Sequence, residues 1–246
     1  MKPNARALIT TSWDDGHPLD LRVASLLAKY GMRGTFYVPV NAVAGKVLDT
    51  AGMRELMQMG MEIGSHTVTH PVLTELTDIA VDRELRDSRN QLEDRLGIAV
   101  TSFCYPKGRF NRRVSRKAAL AGYRVCRTTV DFRTDLAFDP IRMPVSTHLF
   151  RHNVAAHCRH GLRYGNWSGL RNWCGRLGCE TDPERSVARM LDEVSAEGGV
   201  FHLWGHSWEI EEHGLWPVLE SIAASIGRMT GTFQMTNGEV GNVARA

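Results

Sequence analysis

Residues 7–17 read ALITTSWDDGH: an apolar run from Ala7 that closes on Thr10, Thr11, Ser12 and Trp13, then two adjacent carboxylates, Asp14 and Asp15, then Gly16. The run predicts a strand over Ala7–Trp13, and the Asp-Asp-Gly behind it predicts a sharp turn. Like charges side by side repel, so a fold that sets them at a strand end has something for them to hold. Working outward, short apolar runs predict further strands at Gly34–Val38, Met61–Gly64, Ser102–Tyr105, Tyr123–Thr128 and Val200–Trp204. Helical patterns lie between them. The clearest runs from Thr77 to Leu96, with Val81, Leu85, Leu92 and Leu96 on one face, Thr77 as cap and Gly97 as stop. Another begins at Asp182-Pro183 and buries Val187, Met190, Leu191 and Val194 before Gly198. Strands alternating with helices imply a parallel sheet with crossover helices, open or closed into a barrel, whose functional residues gather at the carboxyl ends of the strands. Asp14 and Asp15 follow the first strand, His66 and His70 the third, Pro106 to Arg109 the fourth and His206 the last, so four strand ends offer polar groups to one face.

The chain of 246 residues is expected to form one α/β domain, with no internal repeat or low-complexity linker. A net charge of only +3 makes no case for a nucleic-acid partner, and none is expected. The start, MKPNARALITTSWDD, lacks the apolar core of a secretory signal, and no stretch approaches the roughly 20 apolar residues of a spanning helix. Five cysteines, an odd set without paired zinc-ribbon spacing, read as reduced thiols, with Cys174 and Cys179 left as a pair that could bridge or bind metal. The expected location is cytoplasmic.

The stretch GSHTVTH carries His66 and His70 four residues apart. One helical turn after the strand would set both imidazoles on one face, close enough to bind a single cation. Two imidazoles and an aspartate make a site with open positions, the arrangement of catalytic rather than structural zinc. One member of the Asp14–Asp15 doublet would ligate the metal while its neighbour takes a proton from an attacking water. A hydrolysis also needs a donor for the leaving group. VFHLWGHSWEIE, residues 200–211, offers His202 inside the apolar strand pattern, a core residue, and His206 just past Gly205, the candidate acid. Trp204 and Trp208 flank it, as an apolar wall or as ordinary packing.

In this order the pieces resemble the polysaccharide deacetylase family, also called carbohydrate esterase family four, over Leu8 to about Glu211. The resemblance implies a distorted (β/α) barrel, seven-stranded, and metal-dependent removal of acetyl groups from sugars, commonly with zinc. TSWDDG corresponds to the family's first motif, which makes Asp14 the base and Asp15 a metal ligand. SHTVTH matches the second without change, which makes His66 and His70 ligands. CYPKGR stands for the third: Pro106 and Gly108 are kept, and by position the Lys107 backbone N–H would steady an oxyanion. Cys104 occupies the place of the arginine that orients the base, leaving Arg109 and Arg142 as replacements between which the sequence does not choose. VDFRTD is a poor fourth motif, with Asp131 as the group that would tune the acid and no tryptophan after it. WGH keeps His206 but puts Trp204 in place of leucine. Tyr105, Trp204, Arg109 and Asp131 are the implied substrate contacts. The implied partner is an N-acetylated sugar or glycan precursor of cell-envelope or surface-glycan biosynthesis.

From Pro140 to Cys179 there is no acidic residue, yet Arg142, Arg151, Arg159, Arg163, Arg171 and Arg176 fall there, with His148, His152, His157 and His160. The segment, about 146–180, is either a solvated basic insertion with counter-charges elsewhere or an anionic handle, since arginine forks suit phosphate. Two rival functions stay open: hydrolysis of a non-sugar amide such as a cyclic ureide, and non-catalytic phosphate binding.

Overall fold

The computed structural model describes residues 6–42 and 45–244, so the basic start over Met1–Ala5 lies outside the described residues. The chain runs β1 (Ala7–Trp13), α1 (Asp20–Lys29), β2 (Gly34–Val38), α2 (Thr50–Gln58), β3 (Glu62–Ser65), α3 (Asp78–Leu96), β4 (Ser102–Cys104), α4 (Arg112–Leu120) and β5 (Val125–Arg127). It continues through β6 (Thr147–His148), α5 (Val154–Arg163), α6 (Trp167–Gly175), α7 (Pro183–Glu197), β7 (Gly199–Gly205), α8 (Ser207–Glu212), α9 (Trp216–Gly227), β8 (Thr232–Gln234) and α10 (Asn237–Ala244). Seven strands lie in the order β5-β4-β3-β2-β1-β7-β6, all parallel, curled into the expected distorted (β/α) half-barrel. β8 adds an eighth by pairing Thr232–Gln234 with Ala7–Ile9.

β1 is the spine of the sheet, pairing with β7 over its whole length from Ala7↔Gly199 to Trp13↔Gly205. It is buried on both faces, as a central parallel strand covered by crossover helices must be. The edges β5 and β6 do not pair with each other. The irregular chain between them closes the gap through its backbone: Thr128 N–H donates to Met143 O (2.8 Å), Val145 N–H to Val130 O (2.9 Å) and Ser146 N–H to His202 O (2.9 Å).

The clearest predicted helix ends as its sequence dictates. Thr77 accepts from the Ala80 N–H, and Gly97 takes the left-handed conformation at φ 71° that a side chain would resist. Val81, Leu85, Leu92 and Leu96 form its buried stripe, and buried Ser88 bonds Ser65 Oγ at 2.9 Å. α7 is capped by Asp182 with Pro183 in its first turn. β6 and β8, of two and three residues, were not predicted, being too short to carry a period.

Candidate active site

Parallel strands deliver their carboxyl ends to one rim, and here that rim surrounds a cavity of about 550 Å³. Asp14 and Asp15 leave β1 through a turn in which Asp15 itself is left-handed, at φ 73°, followed by Gly16 at φ 59°. A Cβ at Gly16 would lie 2.8 Å from Val38 Cγ1, so the glycine of the doublet is required by the close approach of β2. Both carboxylates line the cavity, but the turn splits them: Asp14, 4% exposed, is held against Arg127, and Asp15 faces His66 and His70.

His66 follows β3 and meets Asp15 with Nε2 at 3.7 Å from Oδ1, while His70 Nε2 stands 3.5 Å from the same oxygen. No helical turn brings them together, contrary to the expectation from their spacing. The segment is a loop with Thr67 at φ 71° and His70 at φ 56°, braced by Glu84 of α3, whose carboxylate accepts from the N–H groups of Val68 (2.8 Å) and Thr69 (3.0 Å). These three residues can hold a cation. One ligand atom from each lies within 4.8 Å of the others, and Asp15 Oδ1 is buried with no hydrogen-bond partner. The His66 Nδ1 proton goes to the Cys104 carbonyl at 2.9 Å, which leaves Nε2 as a lone pair facing Asp15. Trp208 Nε1 donates to the other Asp15 oxygen at 3.0 Å. Burial, with His66 alongside, pushes His70 down to about 4, so its imidazole is neutral near pH 7 and able to ligate. Two nitrogens and one carboxylate oxygen suit zinc.

Asp14 is not part of that set. Arg127 binds its Oδ1 and the Cys104 thiol reaches its Oδ2 at 3.6 Å. Burial alone would raise the Asp14 carboxyl, but Arg127, His66 and His206 together outweigh it and hold the pKa at about 2. Burial pushes the Cys104 thiol well up.

Arg127 is the residue the sequence reading missed. Neither Arg109 nor Arg142 takes the place left open by Cys104: Arg109 is exposed outside the cavity, and Arg142 pairs with Asp139 at 3.1 Å. In the β4–β5 ladder Cys104 and Arg127 are direct partners, so the arginine sits one strand over at the same height. It is fully buried, with its guanidinium carbon 4.7 Å from the centre of the Trp204 ring. An arginine within the apolar strand pattern of Tyr123–Thr128 was the available signal, since a charge there needs a buried partner.

His206 follows β7 and shows a second difference. Its Nδ1 donates to Glu209 Oε2 at 2.6 Å, and its Nε2 lies 3.9 Å from Asp15 Oδ2. Burial opposes its protonation, but Glu209, Asp14 and Asp15 prevail and raise its pKa. Asp131, expected to tune this acid, instead accepts from His160 Nδ1 at 2.8 Å. Glu209 also accepts from His148 Nε2 at 3.0 Å, and His152 Nε2 donates to His148 Nδ1 at 3.0 Å. The grouping of His148, His206 and Glu209 is thus a hydrogen-bonded chain.

Of the remaining predicted residues, Trp204, Lys107 and Asp131 line the cavity, with Trp204 stacked on His148 at 3.9 Å between ring centres. Lys107 stands at φ 54° in the turn after β4. Tyr105 does not reach the cavity: it is buried, and its hydroxyl donates to Ile141 O at 2.8 Å. His202 is a core residue as read, holding Ser12 Oγ at 2.8 Å. None of the five cysteines forms a disulfide.

The fold and this rim define a parallel α/β half-barrel with a two-histidine, one-aspartate centre. The family model for polysaccharide deacetylase matches residues 2–126, and the chain belongs to that family. Bacillus subtilis YxkH, a polysaccharide deacetylase by name, is 32% identical over 130 residues, 52% of this chain and 46% of its own. A chitin deacetylase of Arthroderma benhamiae is 27% identical over 199 residues, 77% of this chain and 48% of its own. The chain thus spans about half the length of these curated relatives. Among solved structures, a Mycobacterium smegmatis protein named for the same family superposes with a TM-score of 0.67 at 15% identity, over 100% of this chain and 92% of that one, which shows the fold. The Streptococcus pyogenes deacetylase PplD, solved with acetate, gives a TM-score of 0.51 at 25% identity, over 55% of this chain and 63% of that one. No helix among the described residues is long and apolar enough to cross a membrane.

Proposed function

We propose that this chain is a metal-dependent deacetylase that removes an N-acetyl group from a sugar. The observation that carries the reading is the convergence of Asp15, His66 and His70 on one buried, unpartnered carboxylate oxygen, with ionised Asp14 and a proton-holding His206 on either side. Asp15, His66 and His70 would hold the divalent metal, zinc by donor chemistry. When bound, that metal supplies Lewis acidity and lowers the pKa of water towards about 7.

The chain's own groups do the rest. Asp14, fixed by Arg127, accepts the proton of the attacking water. The Lys107 backbone N–H donates to the oxygen that gains charge as the amide carbonyl turns tetrahedral. His206, its Nδ1 anchored on Glu209, gives the Nε2 proton to the departing amine. Trp204 and Trp208 line the cavity beside His206 and narrow the access of water to it. The acetate bound in the PplD structure and the chitin named for the Arthroderma relative support an acetylated amino sugar as substrate. In a cytoplasmic setting the sugar would be a precursor of the cell envelope or a surface glycan.

Acetate release from a panel of N-acetylated sugars, and ring opening of small cyclic amides, with elemental analysis of the purified protein, test this. Acetate from the sugars, dependent on the metal, is expected. Ring opening of the cyclic amides with no acetate from any sugar would replace the sugar reading with the ureide one.

A further inference from the structure

The cavity is unevenly charged. Each of its four carboxylates already faces a positive or titratable partner: Asp14 faces Arg127, Asp15 the two triad imidazoles, Asp131 His160, and Glu209 His206 and His148. The three full cations of the lining are different. Lys107, Arg159 and Arg163 pair with no carboxylate among the described residues.

The arginines of the acid-free stretch thus fall into two sets, with exposed Arg171 of α6 outside both. Arg142, Arg151 and Arg176 find counter-charges on Asp139, Asp182, and Glu193 with Glu197, which makes them ordinary solvated pairs. Arg159 and Arg163, one helical turn apart on α5, line the cavity instead. α5 is tied to the Lys107 turn: the Tyr164 hydroxyl donates to Gly108 O at 2.6 Å, and the Tyr164 ring stacks on Phe110 at 5.4 Å. Lys107 and His70 line the same cavity. All three cations therefore belong to one rim beside the metal triad.

We propose that Arg159 and Arg163, with Lys107, form an anion clamp for a sugar carried on a diphosphate, deepening the deacetylase reading on which it rests. The spread of the cations favours the ligand. A carboxylate would offset one of the three, whereas a diphosphate esterified at both ends carries one charge on each of two linked phosphoryl groups, which two arginine forks a helical turn apart and Lys107 can share. Arginine forks bind such oxygens in pairs, and because Lys107, Arg159 and Arg163 are all exposed, binding should weaken as salt rises. A nucleoside diphosphate and a lipid diphosphate present the same chemistry.

The test measures binding and turnover separately. Uridine diphosphate, and a short polyprenyl diphosphate in detergent, are titrated into wild-type protein, into Arg159→Gln/Arg163→Gln, and into His66→Ala/His70→Ala as a control for anion held by metal. Binding by wild type and by the histidine variant, weakened about tenfold or more in the arginine variant, is expected. The ligand bound more tightly identifies the carrier. Arg171→Gln, on exposed α6 away from the cavity, should bind like wild type. Binding that follows the histidines and ignores the arginines overturns the clamp. Acetate release is then compared on a nucleoside-diphosphate-linked and a free N-acetyl sugar. The ratio of kcat/KM, charged over neutral, should exceed one and fall about tenfold or more in the arginine variant; equal rates count against the clamp. Arginine-dependent binding with no acetate from any sugar would keep the clamp and remove the deacetylase reading, so the two fail separately.

Discussion

The half of the molecule that the family model covers, up to residue 126, and the half that follows build their parts of the site by different means. In the first, each functional group sits directly behind a strand: Asp14 and Asp15 after β1, His66 after β3 and Lys107 after β4. Strand direction alone brings them to one rim. In the second, Arg127 ends β5, His148 ends the two-residue β6, Glu209 lies in the first turn of α8, and the arginines come from α5. A strand end writes its contribution into a short stretch of sequence. A partner met only across the fold does not, and Arg127, though it ends a strand, is the sharpest instance, because it reaches Asp14 across 113 positions.

The comparison can be broken at its strongest point first. His66→Ala should lose bound metal and bring acetate release to background, as should exhaustive chelation of the wild type; elemental analysis beside the assay checks both. Asp14→Asn should keep its metal yet lose about 10²–10⁴ in kcat, the usual contribution of a positioned base. A fully active Asp14→Asn enzyme would remove Asp14 from the chemistry.

The junction of the two halves gives the next effect. Arg127→Leu leaves Asp14 buried without its partner and should cost about 3–5 kcal/mol in denaturant unfolding. Because Cys104 and Arg127 are ladder partners, Cys104→Arg in the Arg127→Cys background should recover part of that loss. No recovery would mean that height in the sheet is not what positions the guanidinium.

Glu209→Gln probes the second half alone. It should lower kcat about 10–100-fold with KM little changed, as loss of a group that orients a functional histidine does. Unaltered kcat would leave the second half without a part in positioning the acid.

The smallest effect is on stability against pH. Burial first, then Arg127, lowers the folded-state pKa of His202 from 6.5 to about 3. Between those values the unfolded chain binds the extra proton and the native one does not, so this contribution is complete above about pH 6.5 and lost as pH falls towards 3. Unfolding midpoints across that window should decline less steeply in His202→Gln than in wild type.

How much was legible follows from range. Thr77 and Gly97 bound α3, Asp182-Pro183 opens α7, and β1 and β2 begin and end where their apolar runs do, because caps and strand burial act within a few residues. The doublet and the histidine pair announced a cation site for the same reason. Their spacing misled in one respect, since a four-residue separation looks the same in a helix turn and in a loop with two left-handed residues. Tyr105 and Arg109 were assigned to substrate by motif position, and the tertiary structure puts Tyr105 in the core and Arg109 in solvent, while Asp131, assigned likewise, lines the cavity against His160.

By itself, then, the sequence determined a parallel sheet with crossover helices and the residues presented at the ends of its first, third, fourth and last predicted strands, because hydrogen-bonded periodicity and capping are local. The tertiary structure alone decided which arginine neutralises Asp14, which carboxylate orients His206, and which two of six arginines face the cavity. Those choices depend on which side chains share a low-dielectric space, where an unpaired charge is costly, and proximity of that kind is made by folding.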